Sequence, residues 1–121
     1  MSDETTQRRD QPSLFHAVTP DPELLRVATA TFSMLADPTR LHILWLLTEG
    51  ESDVGALTDA VGASRTAVSQ HLAKLRFTGL VETRKEGRHV IYRIRDGHLS
   101  RLILEALNLA DHQITGEPGH R

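Results

Sequence analysis

The chain has 121 residues, of which 39% are hydrophobic and 25% charged, with a net charge of −2 and no cysteine. That length holds one core rather than two ordinary domains. The longest apolar stretch, Leu41 to Leu47, is broken by His42 and is too short to cross a bilayer, and the absence of thiols removes disulfides, cysteine nucleophiles and thiolate metal sites together.

In chain order, residues 1–20 are polar and carry Pro12 and Pro20, which predicts a mobile arm. The opening MSDETTQRRDQPS lacks the apolar run of a secretory signal, so a cytoplasmic protein without a membrane partner is expected. Asp21 and Pro22 then suit a helix start, and Leu24, Val27, Ala28, Thr31, Met34 and Leu35 recur at helical spacing up to Ala36. Asp37-Pro38 repeats the start signal for an almost wholly apolar second helix through Leu41, Ile43, Leu44, Trp45 and Leu47, stopping near Gly50. Such a helix belongs at the centre of the core. Asp53 caps a short third helix ending at Gly62, and Ser64 caps a fourth whose stripe is Ala67, Val68, Leu72 and Leu75, ending at Gly79. Two helices joined by a tight Gly-containing turn form a helix-turn-helix.

After Gly79 the period changes from helical to alternating. Leu80, Val81 and Thr83 suit one strand and Val90, Ile91, Tyr92 and Ile94 another, joined by Lys85-Glu86-Gly87-Arg88 as a turn. From Asp96 the helical spacing of Leu99, Leu102, Ile103, Ala106, Leu107 and Ala110 predicts a fifth helix to about Gln113, followed by a tail over 114–121. The expected fold class is mainly α with a small β-hairpin: four helices, two strands and a fifth helix in a winged helix-turn-helix spanning 21–113.

Charge is not spread evenly along this chain. Residues 1–64 hold four Arg against ten Asp/Glu, whereas residues 65–95 hold eight Lys/Arg against two Glu. A concentrated basic segment inside an acidic protein suits a polyanion, because phosphate neutralisation supplies most nucleic-acid affinity. Within it, Arg65, Thr66, Ser69, Gln70 and Lys74 lie off the apolar stripe of helix four and are residue types that read base edges or hold phosphates. Lys85 and Arg88, with His89, give the hairpin a basic tip able to grip the backbone beside such a helix. His71 has two readings, one facing DNA and one packing locally.

The blocks Leu35-Ala36-Asp37-Pro38-Thr39-Arg40-Leu41-His42-Ile43-Leu44, Ser69-Gln70-His71-Leu72-Ala73-Lys74-Leu75, Gly79-Leu80-Val81, and Gly87-Arg88 before Tyr92-Arg93-Ile94 stand in an order and spacing that resemble the ArsR/SmtB winged-helix regulators. The resemblance implies a homodimeric repressor that binds double-stranded operator DNA, is not an enzyme and takes no small-molecule substrate. It also implies dimerisation through helices one and five and DNA release when an effector binds.

Seven histidines are present: His16, His42, His71, His89, His98, His112 and His120. His98 and His112 lie fourteen residues apart, nearly on one helix face but about 21 Å apart along the axis, so one helix cannot bring both to one ion. An antiparallel partner helix can, placing His98 of one subunit near Asp111 and His112 of the other. The pattern His98, Asp111-His112 and His120 resembles that of the KmtR-type nickel/cobalt sensors of the family, with Asp96 and His16 as further candidate ligands. Two departures stand out: Arg121 occupies the place of a second tail histidine, and Asp111 replaces a glutamate. The family's cysteine motif in helix three is here Asp53-Val54-Gly55, which excludes the arsenic, cadmium and lead type of sensing. The expected effector is Ni(II) or Co(II), with Zn(II) open, since nitrogen and oxygen donors suit all three. Two other readings stay open on the sequence, a repressor not controlled by metal and a small metal-dependent hydrolase using His98, Asp111 and His112.

Overall fold

A computed structural model describes residues 19–116. The chain divides between Ser33 and Met34, and most of α1 (Pro22–Leu35) falls on the first side of that division. In α1 the Asp21 carboxylate accepts the Glu23 N–H at 2.9 Å, and Leu24, Leu25, Val27 and Phe32 are all about half exposed or more.

The second unit is built on α2 (Pro38–Glu49), which packs against α3 (Val54–Val61), α4 (Arg65–Phe77), α5 (Gly97–Thr115) and a strand. Ile43, Leu44 and Leu47 of α2 are buried together with Leu35, Leu57, Val68, Leu72, Leu75, Val81, Leu99 and Ile103. Each fully buried Leu or Ile there contributes about 1.5–3 kcal/mol of transfer free energy, which is what holds four short helices in one arrangement. Helix ends follow the side chains that satisfy their orphan N–H groups. Asp37 accepts from the Arg40 N–H at 2.9 Å, Asp53 from Ala56 at 2.8 Å and Ser64 from Ala67 at 3.1 Å. Gly62, which ends α3, takes φ +72°, a left-handed conformation that a side chain disfavours.

The sheet has three strands where the sequence predicts two. β1 (Ser52–Asp53) pairs with β3 (His89–Ile94), which pairs in turn with β2 (Val81–Glu86), all antiparallel in the order β1-β3-β2. The turn is also tighter than expected. Lys85 and Glu86 are strand residues, Glu86 stands opposite His89, and only Gly87 and Arg88 remain in the loop. Gly87 has φ +63° and Arg88 does not have positive φ, the pattern of a two-residue turn with glycine first.

On α5 the apolar residues divide between the core of the chain and its surface. Leu99 (6% exposed) and Ile103 (0%) belong to the core of their own chain, so neither offers surface to a partner. The large apolar residues α5 leaves exposed are Leu104, Leu109 and Ile114. No helix of the described residues is long and apolar enough to cross a membrane.

Candidate nucleic-acid interface

Helix α4 buries Val68, Leu72 and Leu75 and turns its other side outward. Arg65, Thr66, Ser69, Gln70 and Ala73 line one shallow, open depression on that side, and Lys74 is exposed next to it. The small Ala73 and Ser69 keep the middle of the row low, so a groove edge can approach the backbone of the helix. Helix α4 packs on β2, which carries Lys85 toward the turn where Arg88 sits. Lys85 and Arg88 are both exposed.

Not every cation of the basic segment is available. Arg84 bonds Glu51 at 2.6 Å and reaches Glu86 at 3.5 Å, and the Glu51 hydrogen bond, followed by the neighbouring negative charge, holds its guanidinium above the ordinary range. Arg93 pairs with Glu82 across the hairpin. The His89 ring lies 3.1 Å from Asp53 Oδ2, while the other oxygen of that carboxylate caps α3. Glu51 and Asp53, two apart and flanking the first residue of β1, thus tether the outer half of the wing, at Arg84 and His89, to the start of the helix-turn-helix. Sequence reading assigned Asp53 a cap and Glu51 no role. The acid-x-acid spacing opposite two basic wing positions was the signal available.

His71 stands apart from the exposed row. Its side chain is 20% exposed, with Nε2 3.7 Å from Asp37 Oδ2 and Nδ1 3.5 Å from an Arg40 guanidinium nitrogen. The Asp37 carboxyl is held below its ordinary range, first by the Arg40 backbone N–H, which outweighs the cost of desolvation, and then by the nearby positive charge of Arg40. His42 is exposed, with its ring tilted toward Trp45 at a centroid distance of 6.4 Å.

The candidate metal ligands are not brought together within one chain. His98 opens α5 with an 85% exposed side chain, and His112 and Asp111 lie half-buried near its other end, about 21 Å along an unbroken helix. Among the described residues, no group of three or more His, Cys, Asp or Glu side chains could hold a metal ion. His16 and His120 lie outside the described residues. Asp96 Oδ1 accepts the His98 backbone N–H at 2.7 Å as the cap of α5 and also lies 2.9 Å from His98 Nδ1. The backbone hydrogen bond, then the ring hydrogen bond, keep the Asp96 carboxyl below its ordinary range. With Nδ1–H given to Asp96, the lone pair of His98 is on Nε2, on the exposed side of the ring, the orientation that metal-ligating histidines share.

The comparisons with known proteins agree with this architecture. Residues 37–83 match the model for bacterial regulatory proteins of the arsR family. The HTH-type transcriptional regulator KmtR of Mycobacterium tuberculosis is 40% identical over 104 residues, covering 84% of this chain and 80% of KmtR. Among solved structures, the homodimeric winged helix-turn-helix DNA-binding domain Mb0332 of Mycobacterium bovis, a possible ArsR-family transcriptional regulator, is 34% identical with a TM-score of 0.72, covering 87% of this chain and 99% of that one. The antimony-specific transcriptional repressor AntR is 28% identical with a TM-score of 0.77, covering 88% of this chain and 96% of that one. A helix-turn-helix with its wing, shared with proteins this similar over most of both chains, makes this chain a member of the ArsR/SmtB family of winged-helix regulators, proteins that control transcription and are not catalysts.

Proposed function

We propose that the chain is a repressor that binds operator DNA as a homodimer and responds to a divalent metal ion. The observation that carries the DNA reading is the pairing of two exposed features on adjoining elements. Helix α4 presents Arg65, Thr66, Ser69 and Gln70 along one open depression with Lys74 beside it, and the wing presents Lys85 and Arg88, which among the described residues engage no carboxylate. Thr66, Ser69 and Gln70 are assigned to base edges in a major groove, and Arg65, Lys74, Lys85 and Arg88 to phosphates on either side of it. The similarity to the homodimeric domain Mb0332 supports the dimer. So do the exposed Leu24, Leu25, Val27 and Phe32 on α1 and Leu104, Leu109 and Ile114 on α5, more apolar surface than a small monomer leaves in water.

The metal reading rests on the donors of α5 and on similarity to regulators that include an antimony-specific repressor. His98, Asp111 and His112 supply nitrogen and oxygen donors that suit Ni(II), Co(II) or Zn(II), and their separation along one helix supports a site shared between two antiparallel copies of α5. His120, with Asp96 and His16 as lesser candidates, completes the expected set. Asp96 fits better as the group that aims His98 than as a ligand, because its Oδ1 already serves the helix cap and the ring. When bound, the metal supplies a cross-link between subunits, and by linkage whatever it costs DNA binding, DNA costs metal binding.

Titrating DNA selected by the protein from a random duplex pool, with and without nickel, cobalt and zinc, tests both halves. Loss of affinity on adding one of these ions supports the full reading. Binding that no metal alters leaves a repressor without metal control.

A further inference from the structure

We propose that His71 acts behind the recognition helix, as a positioning residue that fixes α4 against Asp37 and Arg40, and does not itself contact DNA. The inference rests on the DNA-binding reading and adds to it the part that sets the helix in place.

Helical geometry comes first. At 100° per residue, His71 lies about 140° around α4 from Thr66 and about 160° from Ala73, next to the buried Val68, Leu72 and Leu75. A side chain there projects along the flank where α4 meets α2, away from the row that lines the open depression. What it meets on that flank is the start of α2. Asp37 Oδ2 receives the Arg40 N–H at 2.9 Å and lies 3.7 Å from His71 Nε2, while the Arg40 guanidinium places one nitrogen 3.5 Å from Nδ1 and donates from Nε to the Met34 carbonyl at 2.8 Å.

The donor inventory then orders the cluster. A guanidinium has only N–H groups to offer, so the ring nitrogen facing it serves as the acceptor and the ring proton sits on Nε2, toward Asp37. Arg40 is therefore held at three points, by the Met34 carbonyl through Nε, by Asp37 through its backbone, and by His71 through its fork. Among the described residues, His71 carries this arrangement onto α4. With the ring 20% exposed and both nitrogens turned to partners, a DNA contact would require withdrawing it from the cluster. The recognition helix is thus located on two sides, by the apolar stripe that sets its depth and by the His71 link that sets its rotation about its own axis.

The test uses the full chain and two probes, a duplex selected by the wild-type protein from a random pool and a scrambled duplex of the same length. His71→Ala and Arg40→Ala are each expected to lower affinity for the selected duplex by roughly tenfold, the scale on which contacting residues couple. The double variant is expected to lose no more than the worse single one. His71→Asn keeps an acceptor at the Nδ1 position and is expected to recover most of the loss. The slope of log affinity against log salt is expected to stay at the wild-type value in all of them.

Four results overturn the proposal: wild-type affinity in His71→Ala, additive losses in the double variant, a salt slope reduced by about two in His71→Ala, which marks one phosphate contact per subunit of the dimer, or a loss confined to one base pair, which marks base readout. His71→Asn binding as weakly as His71→Ala with an unchanged circular-dichroism spectrum overturns it too. Arg40→Lys, run in the same cycle, keeps the result readable should an alanine variant fold poorly. A wild-type chain that selects no duplex at all signals failure of the DNA-binding reading instead.

Discussion

Helix α4 with its wing and helix α5 both present polar side chains to solvent, but they assemble them in different ways. On α4 the row Arg65, Thr66, Ser69 and Gln70 is contiguous, built on one helix face and joined by a hairpin packed on the same helix. On α5 the candidate donors stand at the two ends of nineteen residues, with His98 at the start and Asp111 and His112 near the finish. The first region is contiguous in one chain, whereas on the reading proposed above the second becomes a site only when another copy contributes. A surface of the first kind needs nothing beyond its own charges, hydrogen-bonding groups and shape. One of the second kind reports on how two subunits are placed, which is what a regulator needs if an ion is to influence DNA binding.

The largest expected effect breaks the first region. Reversing Lys85 and Arg88 to Glu removes two phosphate contacts from each subunit, four from the dimer, and adds repulsion. Affinity for any duplex should fall by at least about 100-fold at low salt, with a salt slope smaller by about 3.6. Fluorescence anisotropy across a salt series measures both, and an unchanged slope would take the wing out of the interface. Breaking the second region should leave that slope alone. His98→Ala and His112→Ala are each expected to bind DNA normally in the absence of metal and to lose a metal response of about 5- to 150-fold. Mixing the two variants should restore part of the response, because one of the two sites in the heterodimer is then intact. If each variant alone still releases DNA with metal, the α5 assignment fails.

A finer division concerns α4 itself. Gln70→Ala and Ser69→Ala should cost about 1–3 kcal/mol of discrimination between selected and scrambled duplexes, with little change in affinity for the scrambled one. Equal losses on both would move these residues to the backbone class, alongside Lys74.

The five helices were legible in the sequence because caps and period agree. Asp37, Asp53, Ser64 and Asp96 each bond an N–H of the first turn, and Gly62 sits in the left-handed conformation read from its place after Val61. β1 was not legible. Ser52-Asp53 is two residues of poor strand formers, and only pairing with Tyr92 and Ile91 of β3 makes it a strand. The apolar spacing of α5 gave the helix but not what covers its face. Periodicity marks a side to be buried and is silent on whether Leu99 and Ile103 meet their own core or a second chain. His71 had two readings for the same reason: its neighbours Asp37 and Arg40 are more than thirty positions away in sequence.

The smallest expected effect separates two roles of one carboxylate. Asp96 caps α5 through the His98 N–H at 2.7 Å and holds the His98 ring at 2.9 Å. Asn is as good a cap as Asp, so Asp96→Asn should leave the helix intact. The amide is a neutral acceptor, however, and a weaker partner for the ring N–H than a carboxylate. Metal affinity measured by competition with a chromogenic chelator is therefore expected to fall about tenfold, the lower end of what outer-shell partners of ligating histidines contribute. Asp96→Ala should weaken the helix and the metal site together. The pH dependence carries the same signature with a definite sign. The folded-state pKa of Asp96 lies below its unfolded value, so its contribution to stability is complete above the unfolded value and is lost as the pH falls through the folded one. Thermal unfolding of the wild type against Asp96→Asn should thus converge at the acid end and separate above the ordinary carboxylate range, while the metal affinities stay apart at neutral pH. Equal metal affinity in the two proteins would show that Asp96 is a cap and nothing more, and that His98 reaches any metal without its help.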